Sequence, residues 1–387
     1  MLEWKLIRLG DICITNKQSY SPKDNWEFAN YLDTGNLTEN KITELQYINI
    51  ETDKLPSRAR RKVRKNSILY STVRPNQLHY GIIKEPTDNL LVSTGFTVID
   101  VDNNKAIPEF IYYLLTQNNI TEQLQAIAEQ SVSTYPSIKP SDIEDLELKL
   151  PNLIIQKKIV SILDTMDNKI RLNEKINNNL EQQAQAIYQQ MFIDNPDPDW
   201  IEGSLRDIAN ITMGQSPSGS SYNEDGMGAI FFQGRAEFGF RFPTIHLYTT
   251  EPKRMAYAND ILMSVRAPVG DLNVAHNDCC IGRGLAAIHS KTNHQSFVLY
   301  TMFSLKKQLD VFNGEGTVFG SINRNSLNDM PILIPDDEQI EKFELIVAPM
   351  DAAIRNNYDE ICRLQAVRDS LLPRLMSGEL DVSDIEP

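Results

Sequence analysis

Apolar residues recur in a heptad rhythm along two long stretches of the chain. The steps between them alternate four and three residues, a spacing that presents one face of an α-helix to a partner helix. The two stripes are in register at an offset of 184 residues, with an asparagine at the same heptad position in each. The pattern predicts two long helices that pair, most simply antiparallel, as a coiled coil. The residues predicted to pair the helices are Ile159, Leu163, Met166, Ile170, Asn173, Leu180 and Ile187 in the first, and Phe343, Val347, Met350, Ile354, Asn357, Ile361, Leu364 and Leu371 in the second.

Shorter motifs ahead of each stripe are also present twice. A Trp…Leu-x-Asp-Ile opening is followed by an Asn-x-Ile-Leu-x-Ser motif, and a proline stands before each helix. Self-similarity of this kind indicates a duplicated structural unit. The repeated features are Trp4 and Trp200, the motifs at 66–71 and 259–264, and Pro151 and Pro335.

The repeats predict an α+β protein with two similar globular domains, each followed by one long helix. Asp, Asn and two prolines between 194 and 199 form a linker, because proline ends a helix and Asp and Asn favour turns. The predicted boundaries are 1–150 for the first globular domain, 151–193 for the first helix, 194–335 for the second domain, 336–380 for the second helix and 381–387 for a tail.

The net charge of −14 argues against a nucleic-acid-binding protein if it is taken alone. The basic residues are nevertheless clustered: nine Lys and Arg, and no Asp or Glu, lie between Lys54 and Lys84. This segment is either a solvated basic face or a contact for an anionic partner.

Composition excludes several other classes of protein. The four cysteines (Cys13, Cys279, Cys280 and Cys362) show no CxxC spacing, which is typical of a reducing cytoplasm. No apolar run of about 18 residues is present, so no membrane span is expected. The sequence also lacks a phosphate-binding Gly-rich loop, a metal-ligand spacing among its five histidines and a paired-carboxylate nuclease motif. We therefore expect no catalytic residue, no metal site and no cofactor in this chain.

The duplicated domain, the Trp…Leu-x-Asp-Ile opening and the heptad helix after each copy resemble the specificity subunits of type I restriction–modification enzymes. A closing phrase at 372–380, Leu-Pro-Arg-Leu-Met-Ser-Gly-Glu-Leu, is also typical of that family. The resemblance covers nearly the whole chain. It implies a non-catalytic subunit in which each globular domain is a target-recognition domain that reads one half of a bipartite, asymmetric site in double-stranded DNA.

The resemblance also implies partners. In the family, the paired helices are a conserved spacer that sets the distance between half-sites and docks two modification subunits, which bind S-adenosylmethionine and methylate adenine. Restriction subunits that translocate and cut DNA can join them. Two other functions stay open: a stand-alone methyltransferase or nuclease with unrecognised motifs, and a coiled-coil adaptor that does not touch DNA.

Arginines are the leading candidates for DNA contacts, because the planar guanidinium can bond guanine O6 and N7 together. Arg74 and Arg266 follow the Asn-x-Ile-Leu-x-Ser motifs at what the sequence indicates are equivalent positions. The remaining arginines lie in segments with no clear counterpart in the other half. The full set of candidates is Arg58, Arg60, Arg61, Arg64, Ser71 and Arg74 in the first half, and Arg235, Arg254, Ser264 and Arg266 in the second.

Overall fold

The computed structural model describes residues 4–131, 135–314 and 320–384, which fall into two compact units. Unit 1 comprises 1–171 and 361–387, and unit 2 comprises 172–360. Each unit therefore contains one globular domain and about half of each long helix.

The first part of the chain contains twelve described strands, three short helices and the first long helix. The strands are β1 (Lys5–Arg8), β2 (Cys13–Thr15), β3 (Phe28–Leu32), β4 (Leu37–Thr38), β5 (Lys41–Ile42), β6 (Gln46–Asn49), β7 (Ala59–Lys62), β8 (Ser67–Ser71), β9 (Tyr80–Ile83), β10 (Leu90–Ser93), β11 (Phe96–Val101) and β12 (Glu147–Leu150). The helices are α1 (Pro108–Leu115), α2 (Asn118–Glu129), α3 (Pro140–Glu144) and α4 (Leu153–Tyr188), and α4 runs into a π-helical turn at Gln189–Ile193.

The second part repeats this order within its described residues. The strands are β13 (Ile201–Ser204), β14 (Ala209–Met213), β15 (Tyr222–Asn223), β16 (Ala229–Phe232), β17 (Tyr248–Thr249), β18 (Met255–Ala256), β19 (Ile261–Ser264), β20 (Leu272–Val274), β21 (Cys279–Ile281), β22 (Leu285–Ser290) and β23 (Pro331–Ile334). The helices are α5 (Leu205–Ile208), α6 (Gln295–Ser304), α7 (Lys306–Asp310), α8 (Arg324–Asn328) and α9 (Asp337–Met376).

The sheets of the two units have matching topologies. A four-stranded sheet has the order β2-β11-β8-β9 in unit 1 and β14-β22-β19-β20 in unit 2. A second sheet has the order β6-β3-β10-β7 in unit 1 and β15-β17-β16-β21-β18 in unit 2, and each contains one parallel pair, β3 with β10 and β16 with β21. In both units the strand before the long helix pairs with the first strand of the domain. The predicted α+β fold with two similar globular domains is confirmed.

The core of unit 1 joins the globular domain to its parts of both long helices. Ile159 and Leu163 of α4 pack with Leu375 of α9 against the four-stranded sheet and α1. The segment after α9 also enters this core: Val382, which lies in the predicted tail, is only 2% exposed, and Lys158 donates a hydrogen bond to the carbonyl oxygen of Ser383 (2.6 Å).

In unit 2 the two helices run antiparallel. Nδ2 of Asn173 donates to Glu360 (2.8 Å), whereas Nδ2 of Asn177, one turn later in α4, donates to the carbonyl oxygen of Ile354, which is earlier in α9 (3.3 Å). Asn357 donates to Oδ1 of Asn177 (2.8 Å). The predicted antiparallel pairing is therefore observed, and the side-chain amides of Asn173, Asn177 and Asn357 donate hydrogen bonds within the seam.

The fifteen residues predicted to pair the helices differ in burial, and their pairing stays a prediction beyond the asparagine contacts of unit 2. Eight of them are buried, and the other seven are partly exposed. The buried ones are Ile159, Leu163, Ile170, Asn173, Phe343, Val347, Ile354 and Ile361, and the partly exposed ones are Met166, Leu180, Ile187, Met350, Asn357, Leu364 and Leu371.

Candidate nucleic-acid interface

The basic segment of unit 1 surrounds β7, an edge strand of the second sheet. Arg58 stands immediately before β7, and its carbonyl oxygen accepts a hydrogen bond from the N–H of Thr94 (2.9 Å). The side chains of Arg58 and Arg60 are exposed, and that of Arg61 is half-buried with its Nε enclosed. Within the described part of the chain, no carboxylate forms an ion pair with any of these three arginines. The charges of Arg58 and Arg60 therefore face solvent and can attract phosphate groups.

Three of the nine basic side chains in this segment are paired with carboxylates from elsewhere in unit 1. Lys62 contacts Asp24 (2.6 Å), and Lys84 contacts Asp164 of α4 (2.7 Å). Arg64 contacts the buried Asp100 (3.0 Å) and also donates to the carbonyl oxygen of Val101. Arg64 therefore attaches the turn before β8 to β11, and less of its charge is available to DNA than that of Arg58 or Arg60.

Ser71 and Ser264 occupy the same place in the two units, at the end of β8 and of β19. Both side chains are buried, at 2% and 1% exposed. The Ser71 hydroxyl donates to the carbonyl oxygen of Val73 (2.9 Å), and the Ser264 hydroxyl donates to that of Pro268 (2.7 Å). Both hydroxyls thus fix the turn that follows their strand, and their predicted contact with DNA has no support in this geometry.

Arg74 and Arg266 are not equivalent, contrary to the sequence interpretation. Isolated β-bridges pair Val73 with Ser137 in unit 1 and Arg266 with Ser321 in unit 2. Arg266, two residues after Ser264, therefore corresponds to Val73, and Arg74 lies one residue further along. Both arginine side chains are exposed. The spacing of the motifs agrees, since Arg74 stands three residues after Ser71 and Arg266 two residues after Ser264.

Arg254 has a counterpart in unit 1 that the sequence did not reveal. It stands immediately before β18, which pairs antiparallel with β21 as β7 does with β10. Its carbonyl oxygen accepts the N–H of Ile281 (2.9 Å), which reproduces the bond between Arg58 and Thr94. Arg58 and Arg254 therefore precede corresponding edge strands, and both side chains are exposed.

Half of the Arg235 side chain is exposed, but its charge is neutralised within unit 2. Its guanidinium forms an ion pair with Asp271, which also contacts Lys306 (3.1 Å). The predicted DNA contacts of all ten candidate residues stay a prediction. The geometry favours Arg58, Arg60, Arg74, Arg254 and Arg266, whose side chains are exposed and, within the described residues, free of carboxylate partners.

A buried arginine that the sequence did not single out attaches the globular domain of unit 2 to both long helices. Arg241 is 4% exposed, and its guanidinium contacts Glu181 of α4 (3.1 Å) and Asp351 of α9 (3.2 Å). The hydroxyl of Tyr300 donates to Asp351 (2.9 Å). Burial raises the pKa of the Glu181 carboxyl, and the positive charge of Arg241 opposes that shift.

Unit 1 contains a related cluster with a different cation. Tyr113 donates to Asp167 of α4 (2.7 Å), as Tyr300 does to Asp351, and Arg368 of α9 completes the cluster at 2.9 Å from Asp167. Asp167 and Asp351 are 184 residues apart, which is the offset of the two heptad stripes. That offset was the available signal for these two carboxylates, whereas nothing in the sequence identifies Arg241 as the partner of Asp351.

No cluster of metal-ligating side chains is present among the described residues, and none of the described helices could span a membrane.

Comparison with known proteins agrees with the duplicated architecture. A family model described as the type I restriction modification DNA specificity domain matches residues 1–182 and again 198–357. Each match begins in one globular domain and extends into the long helix that follows it.

Individual relatives match over nearly the full chain. The HindI specificity subunit of a type I restriction enzyme from Haemophilus influenzae is 26% identical, with 98% of this chain and 100% of that protein covered. A protein of Methanocaldococcus jannaschii assigned as the MjaX specificity subunit is 29% identical, with 98% and 94% covered. The solved S subunit of the type I system of M. genitalium has a TM-score of 0.57 at 15% identity, with 97% of this chain and 96% of that chain covered, and it shares the fold.

Proposed function

The chain belongs to the type I restriction–modification DNA specificity family, and from that premise we propose that its two globular domains read the two halves of a bipartite, asymmetric DNA site. The supporting observation is that the two units have similar sheets but carry different side chains at corresponding edge strands. The first sheets of the two units share their strand order, the second sheets share it apart from the additional edge strand β15, and Arg58 and Arg254 precede corresponding edge strands. The neighbouring cations differ: Arg60 and Arg61 lie on β7, whereas β18 consists of Met255 and Ala256.

The first prediction concerns the DNA site itself. Identical reading surfaces would recognise identical half-sites, so the differences between β7 and β18 predict two unlike half-sites separated by unspecified bases. Sequencing of methylated adenines in cells that express the chain with its modification subunits is the measurement. A continuous motif, or a fully palindromic one, would contradict the proposal.

The second prediction concerns affinity. The double substitution Arg58→Glu with Arg60→Glu is expected to weaken DNA binding and to lower the slope of log K against log salt by about one unit for each phosphate group that is no longer bound. Titration of a labelled duplex at several salt concentrations measures both quantities. The matched control is Lys157→Glu, which reverses an exposed charge on α4. An equal loss of affinity per reversed charge in the two variants would indicate a general charge effect and not a phosphate contact at β7.

We propose further that the chain is not itself an enzyme and assembles with two modification subunits, which bind S-adenosylmethionine, and with restriction subunits where these exist. Its place of action would then be the cytoplasm, where DNA is accessible to such a complex. The antiparallel helices support this proposal, because partly exposed apolar residues along α4 and α9 leave surface for further helices. Leu172 is 51% exposed, and Val367 is 44% exposed.

The third prediction tests whether methyl transfer requires the modification subunits. The purified chain alone is expected to transfer no methyl group from S-adenosylmethionine to DNA, and addition of the modification subunits is expected to produce methylation of adenine. Incorporation of labelled methyl groups into DNA is the readout. Methylation by the chain alone would instead indicate a stand-alone methyltransferase.

A further inference from the structure

The turn after β8 holds Arg74 in an unusual backbone conformation. Its φ and ψ are 48° and 71°, in the left-handed region that non-glycine residues rarely occupy. The residue after it is Pro75, and a residue before proline normally prefers an extended conformation. Surrounding contacts impose the turn: the N–H of Arg74 donates to the carbonyl oxygen of Pro136 (3.0 Å), beside the bridge between Val73 and Ser137. Strained positions of this kind often belong to functional sites.

The same contacts place an aromatic ring beside the guanidinium. Cζ of Arg74 lies 5.3 Å from the centroid of the Tyr135 ring. The Tyr135 ring therefore covers one face of the guanidinium. Both side chains remain accessible, since Tyr135 is 57% exposed and Arg74 is exposed as well. A guanidinium stacked on an aromatic ring loses rotational freedom but keeps the N–H groups at its edge available.

Arg74 also lacks a counterpart in the other unit. Because Arg266 corresponds to Val73, the position that corresponds to Arg74 is Ala267. A residue that maintained a scaffold common to both units would be expected in both. A residue present in one unit only is suited to a feature in which the two half-sites differ.

From these three observations we propose that Arg74 reads a guanine in the half-site of unit 1, with Tyr135 as the positioning residue that holds the plane of the guanidinium. The fork of N–H groups on Arg74 would bond O6 and N7 of the base in the major groove, the pairing that planar recognition of guanine requires. This inference rests on the proposed function, since it assigns one base contact within the proposed bipartite site.

The test is methylated-adenine sequencing in cells that express the full-length chain with its modification subunits, for the variants Arg74→Ala, Arg74→Lys, Tyr135→Phe and Tyr135→Leu. Arg74→Ala is expected to reduce discrimination for guanine by about 10- to 100-fold at one position of one half-site. Arg74→Lys keeps the charge but not the fork, so the same position should relax. Tyr135→Phe keeps the ring and the motif, whereas Tyr135→Leu should relax that position alone.

Three outcomes would overturn the inference. A motif unchanged in Arg74→Ala, with methylation reduced evenly at all sites, would show that Arg74 holds a phosphate group. Changes in both half-sites would show a general loss of structure. Equal behaviour of Tyr135→Phe and Tyr135→Leu would show that the ring does not position Arg74. If the unaltered chain itself produces no bipartite motif, the proposed function fails; if it does and the Arg74 variants match it, only this inference fails.

Discussion

Replacement of Arg241 by alanine is expected to destabilise unit 2 by about 3–5 kcal/mol, the usual cost of removing one partner from a buried ion pair. The substitution leaves Glu181 and Asp351 close together without their shared cation. Both carboxylates are largely enclosed, with 14% and 20% of their side chains exposed, so water can restore little of the missing stabilisation. Thermal unfolding followed by calorimetry should show the transition of unit 2 shifted downward.

Two further variants distinguish loss of the ion pair from loss of packing. Arg235→Ala removes an arginine of the same unit whose ion pair with Asp271 is half-exposed, and its effect should stay below about 1 kcal/mol. Combining Arg241→Met with Glu181→Gln and Asp351→Asn removes all three charges, and much of the stability should return. A triple variant no more stable than Arg241→Ala would contradict the electrostatic explanation.

Truncation of the chain after Arg374 is expected to abolish folding of unit 1. The deleted segment contains Leu375, Met376 and Val382, each no more than 3% exposed and packed in the core of unit 1. Burial of such a side chain contributes about 1.5–3 kcal/mol, so the three together approach the total stability of an ordinary domain. Amide hydrogen exchange should show reduced protection in β8 and β11, while β19 and β22 of unit 2 stay protected.

The matched comparison for the truncation uses single substitutions in the same helix. Met376→Ala should cost about 2–5 kcal/mol, because it leaves a cavity in the core. Leu345→Ala alters a side chain that is 77% exposed, so its effect should be small. A truncated chain with unchanged protection in β8 would show that the segment after Arg374 is dispensable for unit 1.

The long helices could be predicted because periodicity is a local property of the sequence. A heptad pattern identifies which side chains share a face, and asparagines of the two stripes do meet between α4 and α9 in unit 2. The pattern does not determine the axial stagger of an antiparallel pair. Asn357 therefore contacts Asn177, although the shared offset drew attention to Asn173.

The candidate interface was less predictable, because carboxylates that are distant in the sequence determine which arginines keep a charge that DNA could contact. Arg64 and Arg60 look alike in the sequence, yet a carboxylate 36 residues away neutralises Arg64 alone. Likewise, no motif or spacing in the sequence distinguishes Arg241 from other arginines. Only the fold brings it to two acidic residues that are themselves 170 positions apart in the chain.

The composition of unit 1 from two separated pieces has a consequence for synthesis on the ribosome. Residues 361–387 complete this unit, and the 189 residues of unit 2 are translated before them. Ribosomes add about 5–20 residues per second, so translation of unit 2 takes about 10–40 s. During that time the apolar surface that Leu375 and Val382 cover in unit 1 lacks these two residues. Unit 2 is contiguous and can fold as soon as it has emerged. Residues 1–171 are therefore translated before unit 2 but belong to the unit that is completed after it.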